Sequence, residues 1–458
     1  MKITNNTTIA AISTAKGGAG ISVIRVSGER AIPIAQQVFA AQSKQPLSVM
    51  KGYICAYGAV YDGGEKLDEC IATVFRAPHS YTGEDVVELS CHGGIYVTAR
   101  VLRALYDAGA AAAAPGEFTK RAFLNGKMDL IEAESVMDII AARSQGAARA
   151  AVSVKDGALS RRIDAIKSEL LDKIAHLNAW ADYPEEDIPE VESGELIRTL
   201  SKAEQELERI LRGFDNGRLL HDGIDTAIVG RPNVGKSTLM NLLAGYDKSI
   251  VTPVAGTTRD IVEESVGLDD IVLNLSDTAG IRVTDDEIER IGVDKAKHKL
   301  SAAALALCVF DASEPLCDED RMIIAELDKI PAVAILNKSD LPVQLDENEL
   351  KNRFDHILKM SAKHAEGVEE LIKIIREICS LTDFDAHEAL VYHERQRTLA
   401  LQAKECVAEA LSALRAGVTY DAVTVAAEEA VSCLCELTGE RVTDEVVDRV
   451  FHSFCVGK

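Results

Sequence analysis

The stretch Gly230-Arg231-Pro232-Asn233-Val234-Gly235-Lys236-Ser237 sets the architecture of the middle of the chain. It has the Gly-x-x-x-x-Gly-Lys-Ser spacing of a phosphate-binding loop. The apolar residues before it, Thr226-Ala227-Ile228-Val229, predict a buried strand, and Ser237 to Leu243 predicts the first turns of a helix. A glycine-rich turn between strand and helix lets backbone amides curl round a β-phosphate at a helix N-terminus, where the helix dipole favours an anion. Lys236 adds a point charge able to reach the β- and γ-phosphates, and the Ser237 hydroxyl suits Mg²⁺. A chance glycine-rich turn would not place strand, loop and helix in this order.

Downstream, strand-like Ile271 to Leu275 leads into Asp277-Thr278-Ala279-Gly280. A carboxylate at a strand end can hold Mg²⁺ through water, and Gly280 lets a backbone amide face a γ-phosphate. The run Ala332 to Leu336 predicts another strand, ending in Asn337-Lys338-Ser339-Asp340. This resembles the guanine-specificity motif of GTPases of the translation-factor class. A carboxylate such as Asp340 accepts hydrogen bonds from the guanine ring N–H and exocyclic amine; adenine supplies neither and would leave it unpaired. Ser361-Ala362-Lys363 matches the last element of that set. Motifs in this order, each at a strand end, specify GTP rather than ATP.

Two details narrow the chemistry. Ile281 stands where many GTPases carry a water-orienting Gln, and an aliphatic side chain cannot orient a nucleophile. Asn233, with carbonyls from Thr252-Pro253-Val254-Ala255-Gly256-Thr257-Thr258-Arg259-Asp260, offers oxygen ligands for a monovalent cation in the place of an arginine finger. Such a finger supplies roughly 10³ to 10⁵ in rate. A loop-stabilising amide explains Asn233 equally well.

At 458 residues the chain has room for two to four domains. With 47% hydrophobic and 27% charged residues it has the composition of a globular protein. The balance of 50 Lys+Arg against 73 Asp+Glu, a net −23, argues against broad sequence-independent binding to nucleic acid but leaves room for a local basic patch. The ten cysteines (Cys55, Cys70, Cys91, Cys308, Cys317, Cys379, Cys406, Cys433, Cys435 and Cys455) include no Cys-x-x-Cys pair and mostly sit in apolar runs, as reduced core thiols do. Cys433 and Cys435 have no neighbouring residues to complete a metal set. Thr4-Asn5-Asn6-Thr7-Thr8 interrupts any signal-peptide core, and the longest clean apolar run, Ala302 to Phe310, is too short for a membrane span. A cytoplasmic protein without a membrane segment is expected.

Residues 1–119 alternate between strand and helix patterns. Ile21 to Val26, Tyr53 to Tyr61, Cys70 to Phe75 and Val86 to Ser90 predict strands; Ala31 to Ala41 and Ile95 to Tyr106 predict helices. Ala110 to Ala114 predicts a connection, and Lys16-Gly17-Gly18-Ala19-Gly20 a turn. Residues 120–218 are helical in pattern: Leu170, Leu171, Ile174 and Leu177 make an apolar stripe, and a second helix spans Leu196 to Arg212 after an acidic, proline-containing break. Residues 380–458 are helical again, with Leu399 to Leu414 and Ala422 to Leu437 as the long segments. Helices on both sides of a phosphate-loop region, 219–379, predict one helical domain interrupted by an inserted α/β domain.

The loop together with Ala255-Gly256-Thr257-Thr258-Arg259-Asp260, Asp277-Thr278-Ala279-Gly280-Ile281-Arg282 and Ile288-Glu289-Arg290-Ile291-Gly292 resembles the MnmE (TrmE) family of tRNA modification GTPases, within the TrmE-Era-EngA-like class of P-loop GTPases. The resemblance extends to Thr82-Gly83-Glu84-Asp85, His92-Gly93-Gly94, Pro115-Gly116-Glu117-Phe118-Thr119, Arg121-Ala122-Phe123-Leu124-Asn125 and the closing Phe454-Cys455-Val456-Gly457-Lys458. Cys91 stands where the family leads one to expect Gly.

The resemblance implies a three-part fold: an α+β N-terminal domain that binds a tetrahydrofolate derivative and forms the homodimer, a discontinuous all-α domain, and an inserted α/β Rossmann-like GTPase domain. It implies GTP contacts from Asn233, Val234, Gly235, Lys236, Ser237 and Thr238; from Thr252, Pro253, Val254, Ala255, Gly256, Thr257 and Thr258; from Asp277, Thr278, Ala279 and Gly280; and from Asn337, Lys338, Ser339, Asp340, Ser361, Ala362 and Lys363. Mg²⁺ falls to Ser237 and Thr258, K⁺ to Asn233, Thr252, Val254 and Thr257, and the catalytic, water-positioning role to Glu289. Arg25, Glu88, Lys127 and Lys458 fall at folate-contacting positions, the donor being 5-formyl- or methylene-tetrahydrofolate. The implied activity is K⁺-activated GTP hydrolysis that, in a heterotetramer or larger complex with the FAD- and NADH-dependent partner MnmG, serves modification of carbon 5 of the wobble uridine (U34) of certain tRNAs. Two rival readings are a ribosome-assembly GTPase, which should carry a basic RNA-binding appendage, and a folate-dependent one-carbon transferase with a regulatory GTPase domain.

Overall fold

Alternation in the N-terminal strands has a direct structural consequence: one face of their sheet is buried and the other is not. The structure, a computed structural model, describes residues 7–15, 17–182, 192–246, 264–268, 270–277, 303–327, 330–379 and 392–458. Strands β1 (Ile9–Ile12), β2 (Ile21–Ser27), β3 (Phe39–Ala41), β4 (Ile54–Asp62), β5 (Glu65–Phe75), β6 (Val86–His92) and β7 (Ala111–Ala112) form a seven-stranded sheet in the order β3-β4-β5-β6-β2-β1-β7. Only the β1–β7 pairing is parallel. Ile24, Val26, Ala72, Val74, Val87 and Leu89 point into a core closed by the helices Ala31–Val38 and Ile95–Asp107. The opposite face carries Arg25, Tyr57, Ile71 and Glu88.

The predicted helix Ala31 to Ala41 is shorter than expected. Its last residues, Phe39–Ala41, form β3 and pair with Val60, Ala59 and Gly58, so cross-strand pairing overrides helix propensity there. The alanine run expected as a connection contains β7, because Ala111 and Ala112 pair with Ile9 and Ala10.

The chain divides into two units, the first comprising residues 1–137, 163–167 and 431–458. Within it the helix Glu117–Leu124 packs near the C-terminal helix Asp444–His452, around Leu130, Val447, Phe451 and Phe454. The last residues run back along the sheet domain. Val456 bridges Pro115, and the Gly116 N–H donates to the Cys455 carbonyl at 3.3 Å. Gly457, at φ +100, has no room for a side chain: a Cβ there would lie 2.2 Å from the Ile12 carbonyl oxygen.

The second unit, residues 138–162 and 168–430, contains β8 (Ile224–Val229), β9 (Glu264–Leu268), β10 (Ile271–Asp277), β11 (Leu305–Asp311), β12 (Ala332–Asn337) and β13 (His356–Lys359). They form a sheet in the order β13-β12-β11-β8-β10-β9, parallel except for β9. Every residue of β11 is buried. Leu305, Leu307 and Val309 face the helices Lys236–Tyr246 and Val368–Ile378, while Ala306, Cys308 and Phe310 face the helix Asp318–Glu326. A parallel strand covered on both faces reads as a continuous apolar run, which accounts for the apolar sequence from Leu305 to Phe310.

The helix Ser193–Asp222 leads into β8 and extends ten residues beyond the predicted Arg212. It packs against Glu394–Arg415. Leu200, Leu207 and Phe214 are buried on one helix, Leu399, Ala403, Val407 and Ala410 on the other. The Arg397 guanidinium lies 5.0 Å from the Phe214 ring centroid, and Lys404 pairs with Glu208. Among the described residues no helix is long and apolar enough to cross a membrane. Cys433 and Cys435 are buried as packed thiols.

Candidate functional site

The Gly230–Ser237 loop leaves the C-terminal end of β8 and enters the helix Lys236–Tyr246. Val234 is buried beneath it and ties the loop to the core. The Lys236 ammonium donates to the Gly230 carbonyl at 2.6 Å and to the Arg231 carbonyl at 2.9 Å, holding the loop closed around its own cation. Asn233 is exposed in the left-handed region, φ 66, which Asn tolerates better than most residues. Ser237 and Thr238 lie at the first helical turn.

The end of β12, separated from β8 by β11, supplies the second half of the site. Asn337 closes β12 and is buried. Its Nδ2 donates to the Val234 carbonyl at 2.8 Å, and its Oδ1 accepts from the Ala362 N–H at 2.9 Å. One side chain thus ties three segments that lie far apart in sequence. The fit is close: a Cβ on Gly235 would lie 2.2 Å from Asn337 Nδ2. Ser339 N–H donates to the Met360 carbonyl, and the buried Ser361 hydroxyl donates to Asp340 Oδ1 at 2.8 Å. That hydrogen bond is the main cause holding the Asp340 carboxyl below its ordinary range, with help from His364 and Lys363. Asp340 is therefore an ionised acceptor near neutral pH, the state that recognition of a ring N–H and an exocyclic amine requires.

Asp277 is the last residue of β10, in register with Ile228 of β8. Thr252, Pro253, Val254, Ala255, Gly256, Thr257 and Thr258, together with Thr278, Ala279, Gly280 and Glu289, lie outside the described residues. Two further groups join the site that no sequence motif marks. Asp311, at the end of β11, binds the Lys338 ammonium at 2.5 Å. Glu314, three residues on, pairs with Arg231 of the loop. Asp311 lies in register with Asn337 on adjacent strands, so its position at an apolar strand's end was the available signal.

A second cluster lies in the first unit. Arg25 of β2 and Glu88 of β6 stand directly opposite on the outward face of the sheet, joined at 2.8 Å. The Arg25 guanidinium lies 5.1 Å from the Tyr81 ring centroid and 5.5 Å from that of Phe118. Its Nη1 is buried and has no hydrogen-bond partner among the described residues. Lys458 is brought here by the tail, its carbonyl accepting from the Phe118 N–H at 3.2 Å. Burial first, and then the charge of Arg25, push its ammonium below the usual lysine range. Lys127 donates to the Pro78 carbonyl at 3.1 Å. Tyr81 and Phe118 carried no sequence signal as partners of Arg25; sheet register and the turn before Phe118 bring them there.

A mostly parallel sheet with a Gly-Lys-Ser loop after one strand, and Asn-Lys-Ser-Asp and Ser-Ala-Lys after two others, defines a P-loop GTPase. Family models match along the chain: the TrmE N-terminus of GTP-binding proteins over residues 8–127 and the MnmE helical domain over residues 130–455. The tRNA modification GTPase MnmE of Lactiplantibacillus plantarum is 40% identical over 98% of both chains. That of Thermoanaerobacter pseudethanolicus is 39% identical over 98% of this chain and 99% of its own. Among solved structures, Era of Aquifex aeolicus is 30% identical over 40% of this chain and 66% of its own, with a TM-score of 0.29, too loose a likeness to bear on the fold. The chain belongs to the MnmE family of tRNA modification GTPases. It is a GTP hydrolase that acts in tRNA modification.

Proposed function

We propose that this GTPase is K⁺-activated and serves modification of carbon 5 of U34 in certain tRNAs, as a homodimer working with an MnmG-type partner in the cytoplasm. The observation that carries the nucleotide reading is the Asn337 tie, which fixes the phosphate loop and the guanine-reading segment as one frame. In this reading the residues from Asn233 to Thr238, Thr252 to Thr258, Asp277 to Gly280, Asn337 to Asp340 and Ser361 to Lys363 surround GTP. Ser237 and Thr258 hold Mg²⁺, which neutralises charge developing on the phosphates. Asn233, Thr252, Val254 and Thr257 hold K⁺, which supplies the positive charge an arginine finger would give. Glu289 positions the attacking water, since Ile281 cannot. The domains fall at 1–119, 120–218, 219–379 and 380–458.

The N-terminal cluster fits a tetrahydrofolate derivative. Arg25 and Lys458 both lie near the Glu88 carboxylate, and a buried Arg25 N–H lacks a partner among the described residues. The excess donor capacity suits a ligand with anionic and carbonyl oxygens, and Tyr81 and Phe118 offer ring faces to a planar heterocycle. Lys127 would reach the ligand as well. Bound there, the folate supplies the one-carbon unit; Arg25, Glu88 and Lys458 bind and orient it. The outward sheet face beside the cluster exposes Tyr57 and Ile71, cross-strand neighbours, which favours burial against a second copy.

The test is GTP turnover by the purified full chain in KCl and in NaCl at equal ionic strength. Turnover should fall at least about tenfold in NaCl, because a misfitting cation leaves transition-state charge uncompensated. Equal rates in both salts would remove K⁺ and return Asn233 to loop stabilisation.

A further inference from the structure

Lys338 belongs to the guanine-reading stretch, yet the structure ties its ammonium to a group outside every motif. Its backbone is left-handed, φ 64, and it lies between Asn337, which anchors the phosphate loop, and Asp340, whose carboxylate reads the base. Asp311 Oδ2 takes the Lys338 ammonium at 2.5 Å. The carboxylate is itself fixed: it is buried, and its Oδ1 accepts from the Ser313 N–H at 3.0 Å and the Ser313 hydroxyl at 2.6 Å. The Asp311 turn is also stitched to the motif strand, Ala312 N–H donating to the Asn337 carbonyl at 2.9 Å.

We propose that Asp311 is a positioning residue for guanine recognition: by holding the Lys338 ammonium it keeps that cation off Asp340 and presets the side chain beside the nucleotide. The inference rests on the nucleotide-site reading. Two physical consequences support it. Fixing a long lysine side chain costs rotamer entropy, and a tether fixed before binding removes that cost from association. An untethered ammonium two residues from Asp340 has the base-reading carboxylate as a competing partner, and guanine would have to displace it. Asp311 touches neither base nor phosphate in this role and acts only through Lys338.

Dissociation of fluorescent mant-GDP from the full chain, measured in a double-mutant cycle, tests this. Asp311→Asn should speed dissociation about tenfold, the effect of losing one partly exposed charge-assisted hydrogen bond. In a Lys338→Met background the same change should add less than about twofold. Equal acceleration in both backgrounds, or none in the parent, overturns the proposal. The preference for GDP over IDP, which lacks the exocyclic amine, should survive Asp311→Asn and be lost in Asp340→Asn. If Asp311→Asn fails to fold, Ser313→Ala, which loosens the carboxylate without removing its charge, enters the same cycle. Acceleration in the parent that vanishes with Lys338→Met then supports the proposal, and equal or absent acceleration overturns it. Lys236→Ala separates the two levels. Retained mant-GDP affinity there defeats the nucleotide-site reading itself, whereas lost affinity with an inert Asp311→Asn defeats only this inference.

Discussion

The nucleotide site and the N-terminal cluster are built on opposite principles. The phosphate loop is continuous in sequence, and its lysine is held by carbonyls five and six residues away, at Arg231 and Gly230. The N-terminal cluster takes Arg25 from β2, Glu88 from β6, Phe118 from a helix and Lys458 from the chain's end. Where chemistry depends on local backbone shape, spacing along the chain declares it. Where it depends on sheet register and tail docking, no local pattern does, and a substitution that touches neither ligand nor charge can dismantle it.

The contiguous site should give the largest effect, and from a single side chain. Lys236→Ala should reduce GTP affinity by more than about 100-fold, since it removes both the phosphate charge and the loop's internal clamp. Calorimetric titration with a non-hydrolysable GTP analogue measures it. A loss of less than about threefold would show that the loop is held by its backbone alone. The 5-formyl-tetrahydrofolate titration of the same variant should be unchanged.

Gly457→Ala makes the converse test at the assembled site. The substitution adds one methyl and changes none of the groups assigned to the ligand, but at φ +100 and against the Ile12 carbonyl it must displace the tail. Strain of about 1–3 kcal/mol should withdraw Lys458 and weaken 5-formyl-tetrahydrofolate about tenfold, with GTP turnover altered less than about twofold. Unchanged folate affinity would mean the tail is not part of that site.

How much could be read from the chain follows the same line. The Gly-Lys-Ser loop, Asn-Lys-Ser-Asp and Ser-Ala-Lys were legible because each needs particular residues at fixed spacing. Asp311 was not: an aspartate ending an apolar strand is ordinary, and its meaning lies in register with Asn337 on the next strand. The cluster residues came only through family resemblance, for Arg25 and Glu88 are single charges in alternating strands until β2 and β6 are aligned. Phe39 to Ala41 misled for a related reason, since only the pairing with β4 makes them strand.

A third assembly lies where the chain enters and leaves the phosphate-loop region. Asp138 is buried, with His393 Nε2 at 3.1 Å and His221 Nε2 at 3.5 Å. The His221 ring stacks on Tyr392 at 5.1 Å, and its Nδ1 meets Asp222 at 2.8 Å. Burial alone would push the Asp138 carboxyl up; hydrogen bonds from His221 and His393 carry it down to about 2. His221 is raised, chiefly by Asp138. The signs then follow from linkage. The depressed Asp138 stabilises the fold above its ordinary 3.8 and loses that contribution as pH falls through about 2. The raised His221 stabilises below its ordinary 6.5 and loses that contribution as pH climbs through its higher folded value. His221→Gln should therefore lower the melting temperature by about 2–4 °C near pH 6, with the gap to the parent closing as pH rises above 6.5 and through the raised folded value. The effect is small because His221 is partly exposed, but its pH dependence is diagnostic: a gap constant across that range would mean the ring contributes by stacking on Tyr392, not by charge. Such a cluster draws on residues from three distant segments, and each is individually ordinary in the sequence that encodes it.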